Sequence, residues 1–260
     1  MKRKQKTNLL SVVIIAKNEE KKISDCLESV KWADEVIVVD TGSTDKTLEL
    51  ASKLGVKVFS KNDGSYSDWR NYGLKKVKSD WVLYVDADER VSEELQGEIQ
   101  EKIKTQDWQE DKIFSYAIPR VNIILGKQLS HGGWWPDYVK RLFKKDKLNK
   151  WEGELHEEPI FEGKLGLLEK PLIHLKHDNF SEMVEKTNKW SEIEAKLMYK
   201  SKHPPMTTFR FLSAIFREFW LRMIQQQAYL DGAEGVMYAI YQVFSKFISY
   251  AKLWEMQLKT

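Results

Sequence analysis

One cysteine, Cys26, leaves no partner for an intramolecular disulfide and no set of thiols for a cysteine-cluster zinc site. Its neighbours Ile23, Leu27 and Val30 place it on an apolar helix face, where a thiol behaves as a small core residue. Long apolar runs are also missing. The longest uncharged stretch, residues 235–245, is short and interrupted by Gln242, well below the ~18 apolar residues that a membrane span requires. The N-terminal "MKRKQKTNLLSVVIIAKNEE" has the basic and apolar parts of a signal peptide but no small-residue cleavage site, so its apolar part reads as a first strand. Charge of one sign is scarce: the net charge is +3 over 260 residues, which argues against a dedicated nucleic-acid binder. No internal repeat or low-complexity segment is present. Neither a P-loop nor a Gly-x-Gly-x-x-Gly fingerprint follows the first strand, so a nucleotide would have to be held by other means.

What is present is a chain rich enough in hydrophobic residues, 42%, to bury a core. Its first half alternates β-branched runs with helical spacing. "LLSVVIIA", "EVIVVD", "VKVFS" and "WVLYVD" predict strands; residues 20–32, 44–54 (capped by Ser43 or Thr44), 67–78 and a segment opening at Ser92 predict helices. This pattern implies a parallel sheet covered on both faces. Residues 120–180, with "HGGWWPDYVKRLFKK" and "WEGELHEEP", predict irregular structure over the sheet edge, and 181–200 a polar helix. Two apolar stripes follow, Phe209, Leu212, Phe216, Trp220, Met223 and Gln227, then Val236, Ile240, Val243, Phe247, Ala251 and Trp254, with a turn predicted over 231–235.

Ligands of such sheets bind beyond the carboxyl ends of the strands. Those ends carry Ala16, Asn18 and Glu19 after the first strand, Asp40 after the second, Asn62 and Asp63 after the third, and Asp86-Ala87-Asp88 after the fourth. Two carboxylates two residues apart can share a divalent cation whose other ligands are phosphate oxygens, and the cation would relieve their repulsion. The alternative is that one of them caps the next helix. A diphosphate leaving group suits the first arrangement, with Arg70 of "SDWRNYGL" as the cation that absorbs its charge; the competing role for Arg70 is an ordinary surface arginine.

The ordered set "SVVIIAKNEE", "VIVVDTGSTDKT", "DWRN", "VLYVDADE", "RLF", "HE", "PLIH" and "DGAEGVMYAIYQVFSKFISYAKLWE" resembles the family-2 nucleotide-sugar glycosyltransferases. More narrowly, it is similar to their bacterial β-glucosyltransferase-like branch involved in lipopolysaccharide core assembly. The resemblance implies a GT-A fold: a Rossmann-like, mostly parallel α/β sheet flanked by helices, over residues 1–180, with a donor half (8–119) and an acceptor half (120–180). A C-terminal helical region, 181–260, would follow. It implies inverting transfer from a nucleoside-diphosphate sugar, a UDP-sugar, to a glycan or lipid-linked acceptor, with Mg2+ or Mn2+. Ala16, Asn18, Glu19, Asp40, Arg70, Asp86 and Ala87 would contact the donor, and Asp88 the metal.

Inverting displacement also needs a base; Glu157 matches best, with Asp137 as its alternative and Glu154 and Glu158 nearby. His174 is a candidate further metal ligand or an ordinary hydrogen-bonded histidine, as are His156 and, more weakly, His177. Trp134 and Trp135 suit either stacking on an acceptor sugar or core packing, and the resemblance puts Arg141 on the acceptor side. Glu89 is left as a helix-start or acceptor-side charge. Arginines and lysines among the aromatic residues of 205–260 suit a peripheral contact with an anionic membrane, which places the protein at the cytoplasmic face. A nucleotidyltransferase, or a non-catalytic membrane-associated sugar-binding module, is the competing reading; "AKNEEKK" lacks the glycine-rich loop of the former.

Overall fold

The computed structural model describes residues 9–105, 108–154 and 157–259. The N-terminal half alternates strand and helix as the β-branched runs require: β1 (Leu10–Ala16), α1 (Ile23–Ser29), β2 (Glu35–Asp40), α2 (Thr47–Lys53), β3 (Lys57–Ser60), α3 (Tyr66–Lys76) and β4 (Trp81–Asp86). Then come β5 (Glu89–Val91), α4 (Glu93–Thr105), α5 (Trp108–Asp111), β6 (Ile113–Ile124), β7 (Lys127–Leu129) and β8 (Asp137–Lys144). The rest comprises β9 (Leu148–Glu152), β10 (Glu158–Phe161), β11 (Lys164–Leu167), β12 (Leu172–His177), α6 (Phe180–Lys200), α7 (Thr208–Phe219) and α8 (Gly232–Leu258). The chain divides into two compact units, residues 1–120 with 138–174, and residues 121–137 with 175–260.

The main sheet has the strand order β3-β2-β1-β4-β8-β6-β12-β5. Strands β1 to β4 are mutually parallel, and β8 joins β4 antiparallel. The α/β class expected from the sequence is therefore present. Alternation along β1 builds both faces of the first unit: Leu10, Val12 and Ile14 join Cys26 of α1 and Leu95 and Ile99 of α4, whereas Val13 and Ile15 join Val39, Tyr84 and Phe143. Cys26 is fully buried, as its apolar neighbours predict.

Helix α3 is fixed at both levels. Ser65 Oγ accepts from Asp68 N and Asp68 Oδ2 accepts from Ser65 N, a reciprocal capping box. Two turns into the helix, Gly73 lets it approach β1 so closely that a Cβ there would lie 2.5 Å from Val13 Cγ1. Gly73→Val is therefore expected to lower stability by about 1–3 kcal/mol through overpacking, read from urea unfolding; a loss within a few tenths would mean that the contact relaxes freely.

Three expectations need correction. Among the described residues of 120–180, short strands β7 to β12 replace most of the expected irregular cover, since pairing partners far along the chain stabilise short segments of mixed polarity: β12 pairs with β5 (Leu172↔Val91) and β11 with β6 (Leu167↔Ala117). Ser43 and Thr44 do not cap α2, which opens at Thr47 behind Lys46; both are engaged by Asn18 instead. Residues 232–235 are already helical, because Asp231 accepts N–H groups from Ser130 (2.9 Å) and His131 (2.7 Å) and thereby anchors the start of α8.

The second unit packs α6 and α7 on α8. Tyr241 donates to the Met183 carbonyl at 2.7 Å, and Phe211 lies 5.3 Å from Phe247 and 5.4 Å from Trp254. The first apolar stripe continues past α7 through a π-helical turn over Trp220–Gln225. Among the described residues, no helix is long and apolar enough to cross a membrane.

Candidate functional site

Strand order reverses at β1, with β2 on one side and β4 on the other, and register brings their carboxyl ends together: Ala16 pairs with Asp40 and Ile15 with Asp86. The first two loops interlock. Asn18 sits in the left-handed region (φ 56°), where its N donates to Ser43 Oγ at 3.0 Å and its Oδ1 accepts from Thr44 N at 2.8 Å. Glu19 N donates to Thr47 Oγ1 at 2.8 Å, and the Ala16 carbonyl accepts from Thr41 N at 3.0 Å. Asp40 is buried and accepts from Gly42 N (3.1 Å) and Ser43 N (3.2 Å), so its carboxylate shapes the turn that follows it.

At the end of β4, arginines accomplish what the sequence reading assigned to a cation. Asp86 Oδ1 accepts from Arg70 Nη2 at 3.1 Å, and Asp86 Oδ2 accepts from Arg141 Nη2. Arg141 Nη2 also donates to Glu89 Oε1 at 2.8 Å, which Arg120 Nη1 reaches at 3.3 Å. Arg70 Nε donates to Glu157 Oε1 at 2.8 Å. Three carboxylates thus meet three guanidiniums, and the repulsion between Asp86 and Glu89 is relieved by protein side chains. Burial alone would raise the Asp86 carboxyl, but Arg141 and Arg70 outweigh it and hold the group well below the usual carboxylate range. Burial pushes the Arg141 guanidinium the other way, yet Asp86 and Glu89 raise it further, so it stays charged.

Two roles change accordingly. Glu89 is not a surface charge at a helix start: it is fully buried, faces inward on β5, and its Oε2 also accepts from Asp86 N at 2.9 Å. Arg70 is likewise buried, its guanidinium 4.8 Å from the Trp151 ring and 5.5 Å from that of Tyr84. Asn71 fastens Trp151 in place by exchanging hydrogen bonds of 2.9 and 2.8 Å with its backbone. Arg90 braces the turn between β4 and β5 from outside, donating to the carbonyls of Ala87 (3.0 Å) and Lys22 (2.8 Å).

Asp88 faces a different neighbour, with His174 Nε2 at 3.5 Å from its Oδ2. Among the described residues, no three His, Cys, Asp or Glu side chains converge as a ready-made metal site. A carboxylate suits Mg2+ or Mn2+ when diphosphate oxygens supply the remaining ligands, and an imidazole favours the transition metal of the two, so Asp88 and His174 fit Mn2+ better than Mg2+ as a partial set. Tyr66, at the start of α3, borders the same cluster: its hydroxyl is pushed up to about 12, by burial first and then by Asp86, Glu157 and Asp88. It therefore remains a protonated donor at neutral pH.

Asp137, Trp134 and Trp135 belong to the second unit. Asn122 Nδ2 donates to Asp137 Oδ2 at 3.1 Å and to the Trp134 carbonyl at 3.2 Å. The Trp134 ring packs on Tyr238 (4.8 Å) between Lys176 (4.5 Å) and Arg222 (5.1 Å), while Trp135 is exposed. His177 is buried beside Tyr238 and Tyr241 in the same unit, and His156 lies outside the described residues.

Sequence reasoning missed the structural parts of this site: Tyr66, Arg90, Arg120 and Trp151, and the buried role of Glu89. One signal was readable, since Glu89 and Val91 share a face of a three-residue strand and Val91 is apolar.

The family model described as Glycosyl transferase family 2 matches residues 11–156, more than half of the chain. A glycosyltransferase of Rickettsia typhi is 31% identical over 96% of this chain and 88% of its own length. The lipopolysaccharide core biosynthesis glycosyltransferase LpsC of Rhizobium meliloti is 24% identical over 95% of this chain and 92% of its own. Among solved structures, S. aureus TarS in complex with UDP-GlcNAc is 16% identical, with a TM-score of 0.47, over 96% of this chain and 92% of that one.

Proposed function

Because the chain belongs to glycosyl transferase family 2, we propose that it moves a sugar, with inversion, from a nucleoside-diphosphate donor to a hydroxyl of a glycan or lipid-linked acceptor. The observation that carries the reading is the set of carboxylates held by buried arginines where β1, β2 and β4 end together. The donor is a UDP-sugar, lodged by the loops at Ala16, Asn18, Glu19 and Asp40 and by Ala87 and the Asp86 carboxylate. Similarity to LpsC supports a cell-envelope glycan as the acceptor.

In the reaction, the bond between the anomeric carbon and the diphosphate oxygen breaks as the acceptor oxygen bonds the opposite face of that carbon. Glu157 takes the acceptor proton. Its orientation comes from Arg70, and Arg70 is oriented in turn by Asp86 and Trp151. Arg70 and Arg141, whose charges the carboxylates of the cluster balance, fix the positions of Asp86 and Glu157 beside the donor. Asp88 and His174 would hold Mg2+ or Mn2+, which supplies Lewis-acid neutralisation of that diphosphate. Trp135, which is exposed, and Trp134 are the acceptor-stacking candidates of the second unit, and Arg141 is the acceptor-side candidate of the first.

A panel of nucleotide sugars assayed with Mn2+ tests the reading directly: turnover with one donor is expected, and no transfer or donor hydrolysis with any would refute it. Asp88→Asn is expected to abolish the response of turnover to Mn2+; an unchanged metal titration would remove Asp88 from the metal site. Residues 205–260 provide a peripheral contact with the cytoplasmic face of a membrane, supported by the aromatic side chains that α7 and α8 expose.

A further inference from the structure

On α7 and the turn after it, Phe209, Leu212, Phe216 and Trp220 form one face, and they are 83%, 58%, 62% and 46% exposed. Spacings of three and four residues set them side by side. An apolar strip of this size facing water marks a contact surface. It is too short to cross a bilayer and suited to lying in its interface.

Beside this strip runs a cavity of about 320 Å3, within the size range of ligand sites. Its lining includes Arg210, Arg217, His203, Thr207 and Tyr250, with no carboxylate. Arg210 and Arg217 stand two turns apart on one side of α7, next to the apolar face. Arg210 is steadied by the Pro205 carbonyl, whereas Arg217 has no ion-pair partner among the described residues. Glu218, the one acid of the helix, is already spent on Arg222 at 2.8 Å. The opening of α7, capped by Thr207, adds the positive end of its dipole.

Two guanidiniums without a counter-charge, in a groove bordered by exposed aromatic side chains, match a ligand that is anionic at one end and apolar at the other. We infer that this groove binds the phosphate of an anionic membrane lipid, with Phe209, Leu212, Phe216 and Trp220 among the acyl chains; the inference rests on the membrane contact proposed above. Diffuse attraction to a charged surface would make all exposed cations equivalent, whereas a built phosphate site makes these two arginines count for more.

The test uses the full chain with phosphatidylglycerol-containing vesicles in a sedimentation assay. Arg210→Gln/Arg217→Gln is compared with Lys164→Gln/Lys170→Gln, which removes the same charge from exposed positions of the first unit. The arginine pair is expected to weaken partitioning roughly thirtyfold, with the melting temperature unchanged, and the lysine pair by far less. Equal losses for the two pairs, or none for the arginines, would overturn the lipid-phosphate site while leaving the membrane contact standing. Failure of the unaltered protein to sediment with any vesicle would refute both. Inorganic phosphate alone is expected not to raise the melting temperature of the unaltered chain; an increase that the arginine substitutions abolish would identify a free-anion site and overturn the lipid assignment.

Discussion

Arg141→Gln is expected to destabilise the protein by about 3–5 kcal/mol, as measured by urea unfolding, because it leaves the fully buried Glu89 and the half-buried Asp86 with too little positive charge. Arg141 Nη2 touches both carboxylates, and Glu89 is fully buried. A surface ion pair would cost no more than about 1 kcal/mol, so the size of the loss distinguishes a buried network from an ornamental one. Combining Arg141→Gln with Glu89→Gln should recover part of the loss, since the second change removes the stranded charge; strict additivity would show that the groups do not interact. Acid provides an independent check. The Asp86 carboxyl is depressed in the folded state, so its contribution is present above its unfolded value, about 3.9, and fades as pH falls below that value through the folded one. The gap between wild type and Arg141→Gln should therefore narrow below about pH 4. A gap that stays constant there would mean that Asp86 is not held by Arg141.

How much of this was readable depends on what kind of interaction made each part. Strands β1, β2 and β4 are nearly continuous apolar runs buried on both faces, a local signal, and their carboxyl ends followed from the parallel pattern alone. Segments such as Lys127–Leu129 or Lys164–Leu167 carry no such run; β6 pairs with both, the first as a tight hairpin and the second from about fifty residues away, and that pairing makes them strands. The site divides in the same way. Asp86 and Asp88 stand out by spacing, but the groups that neutralise the cluster lie 31 and 52 residues from Glu89, in β6 and β8. No local pattern links an arginine in one strand to a glutamate in another, so a bound cation was the simplest solution visible from the sequence. In the structure Asp86 is held by Arg70 and Arg141, and Asp88 lies apart from them beside His174.

That division bears on the base. Glu157→Gln is expected to lower kcat by about a hundred- to ten-thousandfold while leaving donor affinity nearly unchanged, the range spanned by loss of a general base. Glutamine keeps an Oε1 that can accept from Arg70 Nε, so the 2.8 Å contact and the position of Arg70 over Trp151 should survive. The change removes proton acceptance and spares the scaffold, which is why the loss should fall on kcat rather than on donor binding. Arg70→Lys is the complementary test of orientation. Lysine keeps the charge but cannot reach Asp86 and Glu157 with a planar fork, so it should reduce turnover although the carboxylate is intact. Asp137→Asn should matter much less if Glu157 is the base, because the Asp137 carboxylate is already engaged by Asn122. An active Glu157→Gln enzyme together with an inactive Asp137→Asn enzyme would transfer the proton to Asp137 and leave Glu157 as the carboxylate that holds Arg70 in place.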